Sequence, residues 1–377
     1  MTCSLLGNRL GLRAPHQYEE KSAPGFRAQQ NLLTHLGQTM FLSTVIRGCP
    51  RPVWSAAVTA ALLFSIGAAT GSNAQGKLSS GSGLTNPSLA LNLTGISDWS
   101  TEMPFLDLMK DSRPWFGSTS TTSGAMTYQQ LVDGGYLDAN GWLTKMPPGL
   151  VSVGTIWDWG NGNDPSSAAA QSREGIYVLD YEGTGTIQLG GDAKVLSSKP
   201  GEIIFENTSG NKFWLSITST DPNGTGDYLH NISVVNEKYE GLYRAGEIFN
   251  PDWLSVVNDA RELRFMDWMN TNANTGVTDW ADRTTISDAS WAGGKGVPVE
   301  VMVQLANQTG ADPWFSMPTG ATADYIRQFA TYVRDHLAPG LVAHVEYSNE
   351  VWNSSFAAYH QMVADSQAAW GVSAPYD

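Results

Sequence analysis

Near the C-terminus the run VEYSNEVWN (345–353) sets two carboxylates, Glu346 and Glu350, beside an amide, Asn349, and an indole, Trp352. A carboxyl group next to an amide can move a proton while the amide holds a hydroxyl. An indole face can stack on the apolar face of a sugar ring. Three earlier places repeat this pairing of polar groups with tryptophan: Ser97, Asp98 and Trp99; Asp267, Trp268 and Asn270; Trp314 and Ser316. Convergent polar groups among aromatics are the makings of a carbohydrate site. Each residue also has a plainer role open to it. Glu350 can cap or salt-bridge after a strand, and Asn349 can form a turn. Asp98 and Asp267 can end strands, and the tryptophans can be rim packing. Glu346 alternates with apolar neighbours and reads as structural. His230 and His344 have no partners at metal-ligand spacing, and no calcium-loop pattern appears. No metal and no cofactor is implied.

The elements that would position these groups alternate along the chain. LALNLTGISDWS (89–100) has strand character, FLDLMK (105–110) that of a short helix, and GSTSTTSGA (117–125) that of a loop. Downstream come PDWLSVVNDARE (251–262) as a helix, LRFMDWMN (263–270) as a buried strand and 271–296 as a long loop. VPVEVMVQLANQTG (297–310) is a helix with Pro298 at its start and Gly310 at its stop. ADPWFSMP (311–318) is a strand. TADYIRQFATYVRDHLAPG (322–340) is a helix whose apolar positions Ile326, Phe329, Ala330, Val333 and Leu337 keep the 3.6-residue period. LVAHVEYSNE (341–350) is a strand, and the run from Val351 to Trp370 begins another helix. Strand and helix in alternation predict a parallel sheet.

Residues 150–236 read differently. GIYVLDYEGTGTIQLGG, AKVLSSKPGEIIFENTSGNKFWLSITST and DYLHNISVVN alternate apolar and polar residues between Gly, Asn, Asp and Pro. This is the pattern of an antiparallel β-sandwich or jelly-roll. The expected fold class is therefore α/β. It is TIM-barrel-like but incomplete, at about four βα units over 89–149 and 237–377, with the sandwich of 150–236 inserted after the first strand. The sandwich either binds carbohydrate or roofs the barrel. Which of Tyr177, Tyr181, Phe213, Trp214 and Tyr228 face outward would separate these roles.

VEYSNEVWN resembles the fourth-strand segment of the clan A glycoside hydrolases, (β/α)₈ enzymes that retain anomeric configuration. The likeness spans roughly 89–112 and 251–356. It implies that Glu350 is the general acid/base and that Asn349 holds the sugar 2-hydroxyl. It makes Arg264 the nearest match to an early-strand arginine that orients the nucleophile. That nucleophile, a second Glu at the end of strand seven, is expected beyond Asp377, so the chain as given is expected to be inactive. Asp98, Trp99, Asp267, Trp268, Trp314 and Trp352 would line the substrate cleft. The implied activity is hydrolysis of O-glycosidic bonds in an extracellular, β-glucan-like polysaccharide. The alternative is a non-catalytic carbohydrate-binding or cell-surface protein.

Composition narrows the partners. The chain has 377 residues and a formal net charge of −14. Six basic and two acidic residues fall in 1–74, so the remainder carries 16 basic and 34 acidic side chains, a charge of −18. Such a chain repels nucleic acid and anionic membranes, which leaves polysaccharide or oligosaccharide as the expected partner. Residues 1–74 read as an extension plus signal peptide. Arg47 and Arg51 precede a 17-residue apolar stretch (53–69), and the small residues Ser72-Asn73-Ala74 mark a cut before Gln75. A membrane anchor is the competing reading. Cleavage would leave no stable membrane insertion and a secreted or periplasmic protein. Residues 75–88 have linker composition. Both cysteines, Cys3 and Cys49, precede the cut, so the mature chain would hold no disulfide.

Overall fold

A computed structural model describes residues 88–159, 167–273, 277 and 279–372. The expected signal segment and all but Ser88 of the expected linker lie outside the described residues. Among those residues no helix is long and apolar enough to cross a membrane.

The chain is a mixed α/β protein with one parallel and two antiparallel sheets. Its strands are β1 (Ala90–Asn92), β2 (Phe116–Ser118), β3 (Ser152–Trp157), β4 (Gly175–Glu182), β5 (Gly185–Gly191) and β6 (Ala193–Lys199). They continue with β7 (Glu202–Asn207), β8 (Phe213–Thr220), β9 (His230–Asn236), β10 (Glu262–Arg264), β11 (Asp312–Met317) and β12 (His344–Tyr347).

The two antiparallel sheets run β2-β3-β8-β5 and β6-β7-β4-β9. Alternation along β8 buries Phe213, Leu215 and Ile217 and turns Trp214 outward. These meet Tyr177, Leu179, Ile203, Phe205 and Val234 of the other sheet in one core. The sandwich begins earlier than its period-two pattern suggested. β2 joins from outside 150–236, and Leu108, Met109, Trp115, Leu131, Trp142 and Leu143 line the same core. The 117–125 loop is closed by paired hydrogen bonds between Gly117 and Met126 (2.8 and 3.2 Å).

The parallel sheet runs β1-β10-β11-β12, with sequential strands as neighbours. No closed barrel is formed among the described residues. The helix Val299–Thr309 joins β10 to β11 and stops at Gly310, whose φ of 69° suits a residue without Cβ. The helix Ala323–His336 joins β11 to β12. Thr322 caps its first turn, with Asp324 there and Arg334 and His336 in the last turn, as the helix dipole favours. The expected extension to Gly340 stops at Leu337, whose backbone is extended, two residues short of Pro339, which could not continue the helix. Its buried stripe is Tyr325, Phe329 and Val333, while Ile326 is exposed. The two helices touch: the Asn307 amide donates to the His336 carbonyl at 2.8 Å and accepts from Ala338 N–H at 2.7 Å. Both therefore cover the same face of the sheet. A last helix, Ala357–Trp370, follows β12.

β10 is shorter than the expected 263–270 strand. After Arg264 the chain folds into turns that bury Phe265, Trp268 and Met269, a helix-like spacing within the segment expected to be extended. β12 likewise covers only part of 341–350.

Candidate functional site

Register divides the parallel sheet into two unlike faces. Leu263 pairs with Pro313, and Phe315 with Val345, on the apolar side beneath the helices. Asn92, Arg264, Trp314 and His344 share one register line on the other side, and Ser316 and Glu346 share the next. This second face is polar and knitted together. Arg264 donates to Glu346 at 2.7 Å and to the Asn349 side-chain oxygen at 2.9 Å. Its guanidinium lies 4.8 Å from the Trp314 ring centroid. The Ser316 hydroxyl donates to Glu346 at 3.2 Å, and the Asn349 amide donates to Asn272 at 2.9 Å. Arg264 and Glu346 are both mostly buried, so their attraction is less screened than at a surface.

The turn after β12 is the second feature. Ser348 and Glu350, neither a glycine, have φ of 58° and 43°, in the left-handed region. Such conformations cost about 1–2 kcal/mol per L-residue and persist only where surrounding contacts enforce them. Those contacts are visible. Ser348 is fully buried with its hydroxyl 3.0 Å from that of Thr319. Tyr347 donates to the Thr319 carbonyl at 3.1 Å. Asn349 is pinned between Arg264 and Asn272. The turn hides Ser348 and Asn349 and sends Glu350 into solvent. The Glu350 carboxylate accepts from Asn353 at 3.3 Å, and Trp352 beside it is 60% exposed.

The structure brings Arg264, Trp314, Asn349 and Glu350 to one end of the sheet, with Trp352 beside Glu350. Asp267 accepts from Asn92 at 2.9 Å, toward β1. Asp98 and Trp99 follow β1. Two strands separate β1 from β12, so about 14 Å lies between them at the sheet. Asp98 is buried and is engaged by Arg113 (3.1 and 2.7 Å) and by the Asp158 backbone N–H (3.4 Å). Trp99 is 63% exposed. Trp268 does not offer a stacking face. It is 1% exposed, within 6 Å of the rings of Phe105, Trp253 and Phe265 at 5.5, 5.9 and 5.6 Å. In the sandwich Tyr177 and Phe213 are buried, and Trp214 is the exposed ring of that group. Sequence reasoning passed over Asn272, and it noted Ser316 beside Trp314 without pairing it with Glu346. It set Glu346 aside as structural, and its contacts are those of an anchor for Arg264. The two-residue alternation that places Ser316 with Glu346 on one face was the available signal.

Among the described residues no group of three or more His, Cys, Asp or Glu is arranged to hold a metal ion. No family model, no curated protein and no solved structure matches the chain.

Proposed function

We propose that the chain carries the acid/base half of a retaining glycoside-hydrolase site, acting on an extracellular polysaccharide of the β-glucan type. The observation that carries this reading is the left-handed Ser348–Glu350 turn at the end of the fourth parallel strand. Its backbone is held against its preference, and the result is one solvent-facing carboxylate beside an exposed indole. We take the sheet as part of a (β/α) TIM-type barrel. Sequential strand order and two touching helices on one face support that, because a doubly wound sheet would split its helices between faces.

In this chemistry Glu350 protonates the leaving glycosidic oxygen and later takes a proton from the water that resolves the glycosyl intermediate. Asn349 spends one amide hydrogen and one lone pair on Asn272 and Arg264, which leaves one of each for a sugar hydroxyl. Trp352 and Trp314 border the sugar. The nucleophile must be a second carboxylate about 5–5.5 Å from the acid/base. Asp267 and Glu346 are already engaged by Asn92 and by Arg264 with Ser316. We assign the nucleophile to no described residue. Export with cleavage after Ala74 belongs to the same proposal, and N-terminal sequencing of the exported protein tests it. A mature chain starting before residue 60 would refute it.

The hydrolytic reading is tested by reducing-end release from β-glucan, xylan and mannan, using the chain and its Glu350→Gln variant. Release that falls 100-fold or more in the variant supports it, as removal of an acid/base group should. Equal release by both proteins ends the assignment of Glu350. The second reading, sugar binding without cleavage, is favoured by the exposed indoles of Trp99, Trp214 and Trp352. Binding with no release by either protein, also when formate is added to stand in for the unassigned nucleophile, would establish it.

A further inference from the structure

The segment 105–113 straps the two cores together. Phe105 packs in the core of the parallel sheet, while Leu108 and Met109 pack in that of the sandwich. Asp107 on this strap accepts from the backbone of Met109 (3.0 Å) and Val234 (2.9 Å). Asp111, three residues past Leu108, is 5% exposed, and neither of its carboxylate oxygens has a hydrogen-bond partner. A buried carboxylate left without donors is costly and asks for a counter-ion. The nearest lysine does not serve. Lys110 points the other way, donating to the Asp288 carbonyl at 2.7 Å and lying 5.2 Å from the Trp291 ring centroid.

Asp111 instead lines a cavity, shared with Thr94, Gly95, Ser97, Ser100 and Glu102. The cavity leaves about 10 Å³ of room for the centre of a water-sized sphere, enough for one small occupant. The turn that forms its wall is folded in place: Ser100 N–H donates to the Ser97 carbonyl at 3.1 Å, and Glu102 N–H to the Ser100 hydroxyl at 3.1 Å. Glu102 is exposed and stands at the mouth, with one carboxylate oxygen accepting from the Trp253 indole N–H at 3.4 Å and the other open. Every donor available there is an oxygen: two carboxylates, hydroxyls of Thr94, Ser97 and Ser100, and backbone carbonyls. Burial first, then the charges of Asp107 and Glu102, push the Asp111 carboxyl well above the ordinary carboxylate range, which marks the spot as short of positive charge.

We propose that this cavity binds one calcium ion between Asp111 and Glu102, tying the turn after β1 to the strap that enters the sandwich. Calcium accepts irregular all-oxygen sites with neutral ligands. Two carboxylates are few for such an ion, so the affinity belongs with extracellular modules, Kd on the order of 10⁻⁴–10⁻³ M. The proposal is independent of the glycosidase reading.

The test is calcium titration of the whole chain by calorimetry, with thermal melts in calcium and in chelator, for wild type, Asp111→Asn and Glu102→Gln. Wild type should bind one calcium and melt higher in its presence. Asp111→Asn should lose both the binding and the calcium-dependent shift, while melting no lower than wild type in chelator. Glu102→Gln, at the exposed mouth, should fold normally and bind at least tenfold more weakly, which keeps the test open if the first variant misfolds. No binding by wild type at 10 mM calcium (roughly ten times the upper Kd) overturns the proposal and leaves the cavity to a proton or a water. Undiminished binding by both variants also overturns it.

Discussion

The sandwich and the parallel sheet treat their faces in opposite ways. In the sandwich both sheets turn their apolar sides inward, and ring contacts run along each sheet and across the gap. Trp157 stacks on Phe213 at 4.5 Å, Phe213 meets Phe205 at 5.2 Å, and Phe205 stacks on Tyr177 at 5.5 Å. In the parallel sheet one side is equally dry, with Phe265 on Phe315 at 5.6 Å and Phe315 on Phe329 at 5.1 Å. Its other side carries Arg264, Glu346, Ser316 and Trp314. The inward side of the sandwich is mostly apolar, while one face of the parallel sheet carries an ion pair, a hydroxyl and an indole. The charged face is thus available for chemistry because helices stabilise the sheet from the opposite side.

The largest effect should come from breaking the sandwich core. Phe213 is fully buried among Trp157, Trp159, Tyr177 and Phe205. Phe213→Ala should cost about 3–5 kcal/mol. Denaturant melts followed by near-ultraviolet circular dichroism check it. A loss below 1 kcal/mol would mean that the sandwich does not depend on this ring contact. On the polar face, Arg264→Met should cost less, about 2–3 kcal/mol, because the pair it breaks is only mostly buried. Glu346 would keep only Ser316, and Asn349 would lose an anchor. The paired change Arg264→Met with Glu346→Met should recover much of that loss, since neither charge is then orphaned. A double variant no better than the single would show that the face needs its charges to fold.

These contrasts bear on what the sequence could disclose. Period-two alternation exposed strands such as β7 and β8 because one face of each is wetter than the other. Pro298 and Gly310 marked helix ends because capping chemistry is local. Trp268 was misplaced because LRFMDWMN was read as one extended strand ending in polar and aromatic groups, whereas the chain turns after Arg264 and buries the indole. The contribution of residues 108–143 to the sandwich core stayed hidden for another reason: it depends on pairings such as Phe116 with Gly154, which no local pattern encodes. Glu350 and Asn349 were legible as a pair. Their clamps were not, because Asn272 lies in a stretch without periodicity.

A pH experiment sharpens the comparison at the junction of the two regions. Asp111 has a folded pKa raised by burial, then by Asp107 and Glu102. A carboxyl raised in the folded state binds a proton that the unfolded chain releases. Its contribution to stability is therefore fully present below the ordinary value of 3.8 and is lost as pH rises through the raised folded value. One such proton changes stability by at most about 1.4 kcal/mol per pH unit. In chelator, Asp111→Asn should remove this slope above pH 3.8. Lys110 and the raised Asp107 carboxyl face the same strap, so Asp107→Asn is the control that separates their share. An unchanged slope in Asp111→Asn would refute the assignment. At the site proposed for sugar, Trp352→Ala should weaken oligosaccharide binding about tenfold, near 1.4 kcal/mol. Calorimetric titration checks it, with Trp370→Ala, an exposed indole on the last helix, as the neutral comparison.

The smallest effect probes the turn itself. At φ 43° Glu350 occupies a conformation that glycine enters freely and a glutamate enters at a cost. Glu350→Gly should therefore raise stability by about 0.5–1 kcal/mol over Glu350→Gln, which keeps the side-chain length and the strain. The exposed bond from Asn353 is too weak to offset that gain. Both variants should lose any sugar-cleaving activity. A stability gain that accompanies loss of function is what a residue held in place for its chemistry predicts, because the strained backbone serves only to present the carboxylate. If Glu350→Gly is instead no more stable than Glu350→Gln, the turn is relaxed as it stands. The main structural support for Glu350 over the other carboxylates of the polar face then disappears.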